Sequence, residues 1–322
     1  MEFTTRAYNS FEINPKTKSS IIKTSEEDRL KGEAEYFANL PNDLQVFFPR
    51  LIDYRLTSPY KMELEYYAYS NLGVRMISQP NVYEEEFWQK VFEFLLGYID
   101  AYKDSKSIDY NRRDSLLMTV DKTENEYKKL MDGFEFFNKL KDEDELILNG
   151  KPLKSFNLIW GKIKEFIETK LIEDKFYFIH GDLCFSNILY GINPITDDLI
   201  LKMIDPRGVY GKTKFFGDPY YDLAKISHSC NTGYEHFIYD KFDINVVGNK
   251  FDLKLEGSAK KESINNIFMD VVDEHNFDHQ KIKLIEGCIF VGMCARHYDS
   301  LERQKAMFIS GLKLLNEIYE TI

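Results

Sequence analysis

One short stretch in the second half of the chain, IHGDLCFSNILY at positions 179–190, places polar side chains between two apolar anchors. His180, Asp182 and Asn187 lie within eight positions of one another, and apolar residues flank them on both sides. The stretch has neither the alternation of a strand nor the 3.6-residue period of a helix. It therefore predicts a loop between two core elements, from which Asp182 and Asn187 can both point into one cleft.

A second carboxylate follows at the end of an apolar run. The run LILKMI at 199–204 reads as a strand, and Asp205 comes directly after it, followed by the turn-forming sequence PRG. Magnesium prefers oxygen ligands and usually takes one or two carboxylates together with nucleotide phosphates and water. Asp182, Asn187 and Asp205 offer such oxygens, which indicates a phosphoryl-transfer site. One carboxylate could instead deprotonate an attacking hydroxyl.

The composition favours a small ligand over a large anionic partner. With 322 residues, of which 43% are hydrophobic, the chain can bury a large core and is long enough for two lobes. Its formal charge of −11 disfavours a nucleic acid or an anionic membrane as the partner. No apolar run is long enough to span a bilayer, and the first residues lack the apolar core of a signal peptide. We therefore expect a soluble protein.

The cysteines predict reduced thiols in a cytoplasmic protein. They lack C-x-x-C spacing and stand in apolar surroundings, which suggests neither a zinc site nor a disulfide framework. The residues concerned are Cys184, Cys230, Cys288 and Cys294.

Residues 1–70 predict a small α+β unit. The runs YNSFEI and SSIIKTS, separated by the turn-like NPKTK, predict an antiparallel strand pair. A helix with acidic residues in its first turn follows, capped by Thr24 or Ser25 and closed by Pro41. The segment RLIDYRLTSPYKMELEYYAYS adds two further extended runs.

From residue 71 onward the chain reads as mostly helical. Helical periodicity marks EEEFWQKVFEFLLGYIDAYK, TENEYKKLMDGFEFFNKL, FNLIWGKIKEFIETKL and two segments near the C-terminus. The charged stretch KDEDE predicts a solvated connection between helices. Alternating runs on both sides of Gly248 and Asn249 predict a surface hairpin.

Three motifs, in this order, resemble those of a known enzyme family. HGDLCFSN resembles the H-G-D-x-x-x-x-N catalytic loop of the aminoglycoside phosphotransferase and choline kinase-like enzymes, MIDPRG is similar to their metal-binding aspartate after a strand, and GDPYYDLAKIS looks like their G-D-P-x-Y-D-L-A element. The resemblance implies an α+β, bilobal protein kinase-like fold. A small N-lobe at 1–70, an antiparallel sheet with one helix, would bind the nucleotide. A larger, mainly helical C-lobe at 71–322 would carry the catalytic loop, the metal site and the acceptor-binding helices.

The resemblance also implies a role for each matching residue. Asp182 would be the catalytic base, and Asn187 and Asp205 would be the ligands of Mg²⁺. IIKTS looks like the strand whose lysine, here Lys23, contacts the α- and β-phosphates of ATP or GTP. GEAEYFANLP is similar to the helix whose glutamate, here Glu33, orients that lysine.

Helical geometry supports Glu33 over its neighbour Glu35 in this role. At 100° per residue, Glu33 falls within the apolar stripe of the predicted helix, whereas Glu35 falls outside it. We therefore expect Glu33 to face Lys23 and Glu35 to face water.

Further nucleotide contacts are expected at two places in the N-lobe. A glycine-rich G-x-G-x-x-G sequence is missing before Lys23, so Asn9 and Ser10 would help to cover the phosphates. The cluster EYYAY stands where such kinases join their lobes and hold adenine, which makes Glu65 and Tyr67 candidates for nucleotide contacts.

The acceptor pocket has three candidate residues. Arg207 replaces an apolar residue of many relatives and could touch a phosphate, an anionic acceptor, or only Asp218. Arg296 and His297, in the predicted late helix CARHYDS, could line the pocket or could equally be a packing pair between helices.

Other polar residues near the motifs are expected to be structural. His180 would brace its loop by hydrogen bonds, and Asp218 and Asp222 would cap the following helix or tie it to the loop. A metal hydrolase that uses His180 and Asp182 as ligands is disfavoured, because no further histidines stand at ligand spacing.

The expected function is that of a small-molecule kinase. It would transfer the γ-phosphate of ATP or GTP, with Mg²⁺, to a hydroxyl of a sugar, polyol, amino alcohol or aminoglycoside. The DPRG sequence is associated with relatives in envelope-polysaccharide assembly, which favours a sugar or polyol. The alternative is a catalytically weak nucleotide-binding pseudokinase or scaffold, against which the presence of every acting residue argues. Nothing in the pattern indicates an oligomeric state.

Overall fold

A four-stranded antiparallel sheet forms the N-lobe. The structure, a computed structural model, describes residues 9–78 and 84–322. The antiparallel pairing of the first two strands, predicted from YNSFEI and SSIIKTS, is confirmed. The sheet contains β1 (Asn9–Ile13), β2 (Ser20–Ser25), β3 (Leu51–Arg55) and β4 (Tyr60–Glu65), hydrogen-bonded in the order β1-β2-β4-β3.

One helix, α1 (Arg29–Ala38), packs against β3 and β4. Leu30, Ala34 and Phe37 are buried, and their spacing of three or four residues puts them on one face of the helix. Full burial of a leucine or phenylalanine side chain contributes roughly 1.5–3 kcal/mol relative to exposure. The apolar face of the helix therefore fixes how α1 lies on the sheet.

The prediction that Thr24 or Ser25 caps this helix is wrong. Strand β2 extends through Ser25, which pairs with Tyr60 across the sheet, so neither residue is free to stand at the helix start. The helix begins only after Asp28. The pairing of β2 with β4, which the local sequence does not reveal, overrides the preference of Thr24 and Ser25 for a helix cap.

The C-lobe is mainly helical, as the motifs imply. Its helices are α2 (Leu72–Ile77), α3 (Glu85–Ser105), α4 (Arg112–Leu116), α5 (Lys122–Gly133), α6 (Glu135–Asn138), α7 (Phe156–Lys170), α8 (Pro219–Ser227), α9 (Tyr234–Ile238), α10 (Ser258–Glu274), α11 (His279–Val291) and α12 (Leu301–Tyr319). Short 3₁₀ turns occur at Asn42–Phe47, Phe185–Asn187 and Cys294–Arg296, and π-helical turns at Leu117–Asp121 and His228–Thr232.

The strands of this lobe are short. They are β5 (Ser70–Asn71), β6 (Ser107–Asp109), β7 (Glu145–Leu148), β8 (Lys151–Lys154), β9 (Lys175–Phe178), β10 (Ile188–Ile192), β11 (Leu199–Met203), β12 (Val209–Tyr210), β13 (Thr213–Lys214), β14 (Phe216–Gly217), β15 (Phe242–Val247) and β16 (Lys250–Leu255). Strand β10 pairs with β11 and, on its other side, with β5, where the chain leaves the N-lobe.

Helix α3 shows how the C-lobe core is built. Trp88, Phe92, Leu95, Ile99 and Tyr102 recur every three or four residues, and all five have no exposed surface. The helix packs against α10 and β9. On the far side of the lobe, α11 packs against both α8 and α12. The core therefore supports α8 and the β9 end, which carry the motif residues.

The predictions for two surface segments, the charged stretch KDEDE and the hairpin at Gly248, are confirmed. The hairpin also pairs with a further strand, which the sequence pattern did not predict. Residues 141–145, KDEDE, are all exposed. The hairpin around Gly248 forms between β15 and β16, with Gly248 at φ 61°. It does not stand alone, because β16 pairs in parallel with β7 and completes a four-stranded sheet.

The predicted helix at CARHYDS is wrong. Helix α11 ends at Val291, and the following residues form only a 3₁₀ turn at Cys294–Arg296, with His297 after it. Backbone bonds from Arg296 to Met293 and from His297 to Cys294 span three residues rather than four. In the described ranges 9–78 and 84–322, no helix is both long and apolar enough to cross a bilayer.

The lobes meet where the PRG turn touches α1. Gly208 has φ 72°, and a Cβ built on it would lie 2.5 Å from the backbone oxygen of Gly32. Only a residue without a side chain fits between the turn and the first part of α1. Gly208 therefore sets how closely the turn after β11 approaches the N-lobe helix.

Replacement of Gly208 by alanine should destabilise the fold more than the same change at Gly248. Both glycines have left-handed φ, where alanine costs roughly 1–2 kcal/mol, but a Cβ on Gly248 meets nothing within 4 Å. We expect Gly208→Ala to lose clearly more free energy of unfolding than Gly248→Ala, as measured by urea denaturation. Equal losses would show that the turn does not pack against α1 as closely as described.

Candidate active site

Lys23 on β2 joins three elements through two ion pairs. Its Nζ lies 2.6 Å from Oε2 of Glu33 on α1 and 2.6 Å from Oδ1 of Asp205 in the turn after β11. The side chains of Lys23 and Glu33 are each 9% exposed, whereas that of Asp205 is 45% exposed. One ammonium group thus links the N-lobe sheet, its helix and the C-lobe.

The charges of this group depend on one another. Burial, opposed by Lys23 and assisted by Asp205, raises the pKa of Glu33 above its ordinary value. Loss of water raises the pKa of Asp205, but the charge and hydrogen bond of Lys23 outweigh it and leave that pKa lowered. Burial lowers the pKa of Lys23, yet the two carboxylates together hold it above the ordinary value. At neutral pH the ammonium and the exposed Asp205 carboxylate are therefore charged.

The choice of Glu33 over Glu35 agrees with the geometry, although the surroundings of Glu35 do not match the expectation. Glu33 is buried beside Lys23. Glu35 does not face open water: its Oε2 pairs with Nζ of Lys214 at 2.6 Å, and its side chain is 17% exposed. The reason is tertiary, because strand β13 brings Lys214 to that side of α1 from 179 positions along the chain.

The HGD loop is fixed by a carboxylate on α8. Asp222 accepts hydrogen bonds from the backbone N–H groups of His180 at 2.8 Å and of Gly181 at 2.7 Å, one to each oxygen. Burial raises the pKa of Asp222 to about 7, although both N–H groups favour its charged form. The neighbouring Asp218 caps α8 by accepting from the N–H of Tyr220 at 2.9 Å. Both roles follow the sequence expectation.

His180 braces the loop, as expected. It is fully buried, its Nδ1 lies 3.2 Å from the N–H of Asp182, and its Nε2 lies 3.0 Å from the carbonyl of Ile204. Burial lowers the pKa of His180 to about 4, so the ring is neutral. A neutral ring can accept at Nδ1 and donate at Nε2, which satisfies both contacts.

The HGD loop and the turn with Asp205 are bonded to each other along their length. The N–H of Ile204 donates to the carbonyl of Asn187 at 2.9 Å, and the N–H of Arg207 donates to the carbonyl of His180 at 2.8 Å. These bonds fall on both sides of Asp205, whose own φ is 56°. The two separated motifs of the sequence therefore form one edge of the structure.

Asp182 has a partner that sequence reasoning missed. Its Oδ1 lies 2.9 Å from Nζ of Lys225 on α8, and the two side chains are 30% and 9% exposed. Burial raises the pKa of Asp182, but Lys225 and then Arg207 outweigh it and leave that pKa far below the ordinary value. The signal was present in GDPYYDLAKIS, because Lys225 is a lone cation in an apolar helix, one turn beyond Asp222 and on its face.

The oxygen donors at this edge fit a magnesium ion that arrives with a nucleotide. Asn187 donates through Nδ2 to the carbonyl of Asp182 at 2.9 Å, which leaves its amide oxygen available as a metal ligand. Within 9–78 and 84–322, no three His, Cys, Asp or Glu side chains form a ready metal site. Magnesium does not require one, because nucleotide phosphates and water complete its shell.

The predicted phosphate-covering residues lie beside Lys23 in the sheet. The hydroxyl of Ser10 contacts that of Thr24, and the backbone of Asn9 pairs with Ser25. The side chain of Asn9 falls outside the described part of the structure. Ser10 is exposed at the start of β1.

The predicted adenine-contacting residues follow β4, at the passage between the lobes. The hydroxyl of Tyr67 donates to Oε2 of Glu65 at 3.1 Å, and both residues are half-buried. The ring of Tyr67 packs 5.4 Å from that of Tyr69, between centroids. None of the tyrosines in EYYAY is fully buried.

Two of the predicted acceptor residues, Arg296 and His297, lie just after helix α11 of the C-lobe. Arg296 is 56% exposed, and its Nη2 lies 3.7 Å from Oε1 of Glu126. The ring of His297 meets that of Tyr234 edge-on at 6.3 Å. Arg207 makes no ion pair with Asp218 within the described chain.

The backbone resembles those of solved small-molecule kinases. A thermostable mutant of aminoglycoside phosphotransferase APH(4)-Ia, in a ternary complex with ADP and hygromycin B, matches with a TM-score of 0.59 at 9% identity, over 100% of this chain and 93% of that one. A second thermostable mutant of that enzyme, with AMP-PNP and hygromycin B, gives 0.55 at 10% identity over the same shares. An ethanolamine kinase from Plasmodium vivax gives 0.48 at 12% identity, over 98% and 83%.

No protein-family model and no curated protein matches the chain. The structural likeness therefore establishes the fold alone. The chain has the bilobal α+β fold of the protein kinase-like aminoglycoside phosphotransferases, which the three motifs imply.

Replacement of Asp222 by asparagine should damage the loop, whereas the same change at Asp218 should not. Both carboxylates are buried, but Asp222 accepts two backbone N–H groups with two oxygens and Asp218 accepts one. An asparagine has one acceptor oxygen and caps a helix about as well as aspartate. We expect Asp222→Asn to cost about 1–3 kcal/mol in urea denaturation and Asp218→Asn to be nearly neutral. Similar costs would contradict the tie between α8 and the loop.

The Lys23 and Glu33 side chains should prove energetically coupled. In a double-mutant cycle of Lys23→Met and Glu33→Gln, we expect a coupling energy of about 1–3 kcal/mol in unfolding, because the pair is buried and in contact. The matched control is the exposed pair of Glu135 and Lys139 on the surface, for which we expect no measurable coupling. Additive effects of the first two changes would mean that the ion pair does not form in solution.

Proposed function

We propose that the chain is a small-molecule kinase that transfers the γ-phosphate of ATP to a hydroxyl group, with Mg²⁺. The observation that carries the proposal is the contact of Lys23 with both Glu33 and Asp205 at 2.6 Å, beside a loop that bears Asp182 and Asn187. An ammonium, an exposed carboxylate and an amide oxygen at one edge are the groups that phosphoryl transfer requires.

The nucleotide would bind between the lobes, with the N-lobe, residues 1–70, above it. Lys23 holds the α- and β-phosphates, and Glu33 keeps its ammonium in place. Asn9 and Ser10 lie near the phosphates. The segment with Glu65 and Tyr67 offers backbone and polar groups to the base. The adenine nucleotides in complexes of the similar aminoglycoside phosphotransferase favour ATP over GTP.

The metal and the base would lie on the C-lobe, residues 71–322. Asn187 and Asp205 would hold Mg²⁺, which would offset charge on the transferring phosphoryl group. Asp182 accepts the hydrogen bond of the attacking hydroxyl. Because Lys225 holds the pKa of Asp182 low, this carboxylate orients the hydroxyl and takes its proton late in the reaction rather than forming a free alkoxide.

The acceptor would be a hydroxyl-bearing small molecule. Arg207, Arg296 and His297 would contact this acceptor. A sugar or polyol of envelope-polysaccharide assembly is the acceptor we favour, in a cytoplasmic reaction where ATP is available. A pseudokinase is disfavoured, because the sequence retains all of the acting residues, namely Lys23, Glu33, Asp182, Asn187 and Asp205.

Removal of the base and removal of the metal ligand should have different effects. We expect Asp182→Asn to bind ATP and Mg²⁺ like the parent protein while ADP release with an acceptor falls by about 10²–10⁴-fold. Asp205→Ala should lose Mg²⁺-dependent ATP binding as well, since it removes a metal ligand. ADP release over a panel of sugars, polyols, amino alcohols and aminoglycosides measures turnover, and calorimetric titration of ATP measures binding.

The exposed Asp142 offers a matched control. Asp142→Asn should leave both measurements at the parent level. Near-parental turnover in Asp182→Asn would remove the base assignment. Equal Mg²⁺-dependent ATP binding in Asp205→Ala would remove the metal assignment.

A further inference from the structure

Cationic side chains gather around helix α8, beside Asp182, although the chain as a whole carries a formal charge of −11. They come from four separate elements of the C-lobe. They are Lys122 at the start of α5, Arg207 in the turn after β11, Lys225 on α8 and Arg296 in the 3₁₀ turn after α11.

Contacts with α8 place Lys122 in this group. Its Nζ lies 3.3 Å from the hydroxyl of Tyr221 and 5.9 Å from the centroid of the same ring. Tyr221 stands one helical turn before Lys225, which holds Asp182. On its other side, Lys122 lies against the turn after α11, where a Cβ built on Gly292 would be 3.6 Å from its Cγ. Lys122 therefore lies between α8 and the turn that carries Arg296.

Arg207 lies against the HGD loop itself. Its N–H bonds the carbonyl of His180 at 2.8 Å, and a Cβ built on Gly181 would lie 2.9 Å from its own Cβ. The side chain of Arg207 therefore begins close to Gly181, the residue that precedes Asp182. Its charge contributes to the lowered pKa of Asp182.

Carboxylates do not balance this cluster. Lys225 pairs with Asp182, and Arg296 shares Glu126 with Lys129, which is closer at 2.8 Å. Across residues 9–78 and 84–322, no carboxylate forms an ion pair with Lys122 or Arg207. Elsewhere at the site, by contrast, one ammonium has two carboxylate partners. The acceptor side of Asp182 therefore carries uncompensated positive charge.

The titration of the buried groups agrees with this excess. Burial, opposed by Tyr221 and assisted by the nearby Arg207, Lys225 and Arg296, lowers the pKa of Lys122 to about 8. Burial alone would raise the pKa of Tyr221, but Lys122, Arg207 and Lys225 bring it to about 8. A bound anion would relieve the repulsion among these cations.

Local backbone irregularity occurs at the same place. Lys122 directly follows the π-helical turn Leu117–Asp121, and α8 with Lys225 runs directly into the π-helical turn His228–Thr232. Such turns inside helices are frequent at functional sites. The fully buried ring of His228, at the start of the second turn, has no hydrogen-bond partner for either nitrogen among the described residues.

We infer that the acceptor is an alcohol that carries an anionic group, a carboxylate or a phosphate ester, bound by Lys122, Arg207 and Arg296 while its hydroxyl meets Asp182. The inference rests on the proposed kinase function and narrows its acceptor class. Arginine and lysine side chains bind such anions by charge-assisted hydrogen bonds. The same cations would repel the ammonium groups of an amino alcohol or an aminoglycoside.

Four probes with one carbon skeleton separate the effect of charge from that of shape. Sorbitol is neutral, gluconate carries a carboxylate, sorbitol 6-phosphate carries a phosphate ester, and glucamine carries an ammonium. Each would be tested with the full chain, ATP and Mg²⁺ for ADP release, and by calorimetry for binding. We expect gluconate or sorbitol 6-phosphate to exceed sorbitol by about 10- to 100-fold in kcat/KM or affinity, and glucamine to be poorest. The better of the two anions identifies the group.

A charge-removing variant tests the residues themselves. Lys122→Met should reduce the preference for the better anion over sorbitol by about 10-fold or more, because the methionine keeps the shape and loses the charge. Arg296→Met, at an exposed side chain, provides the same test if Lys122→Met fails to fold. Lys90→Met, on an exposed face of α3, is the control and should leave the preference unchanged.

The outcomes distinguish the two proposals. If sorbitol or glucamine performs as well as the anions, or if no probe binds or turns over, the acceptor inference is overturned. If calorimetry shows no Mg²⁺-dependent ATP binding at all, the kinase proposal itself fails. An anion preference that survives in both Lys122→Met and Arg296→Met would show that other residues select the acceptor.

Discussion

The ammonium of Lys23 is the interaction on which the arrangement of the two lobes depends. It contacts a carboxylate on the N-lobe helix and another in the C-lobe turn, so the sheet, the helix and the turn share one charge. Loss of one partner from a buried pair costs about 3–5 kcal/mol, because the remaining charge is left without water. The close approach of Gly208 to Gly32 brings the same turn against the same helix. The ion pairs of Lys23 and the close packing at Gly208 therefore both hold the turn after β11 against the N-lobe.

Helix α8 stabilises the HGD loop through two of its side chains. Asp222 holds the loop backbone, and Lys225, one turn later, holds the Asp182 carboxylate. The electrostatic character then changes across the cleft. On the nucleotide side, carboxylates outnumber the ammonium, which suits a metal ion. On the acceptor side, cations outnumber carboxylates. The acidic net charge of the whole chain does not predict this local excess of positive charge.

Sequence reasoning succeeded where a pattern is local. The strand pair on both sides of NPKTK, the helical stripe that selects Glu33, and the turn at Gly248 each depend on neighbours within a few positions. It failed where a distant element intervened. Ser25 could not cap α1 because β4 pairs with it, and Glu35 does not face water because Lys214 reaches it. Local propensity is a weak preference, and tertiary contacts readily override it.

The sequence by itself determined the order of the motifs, the periodicity of most helices and the candidates for nucleotide, metal and base roles. These features depend on residue type and spacing along the chain. Only the tertiary structure decided which charges meet. The pairing of Lys225 with Asp182 joins residues 43 positions apart, and the contact of Lys122 with Tyr221 joins residues 99 positions apart. Electrostatic energy depends on distance in space, which no local pattern encodes, so the character of the acceptor side emerged only from the fold.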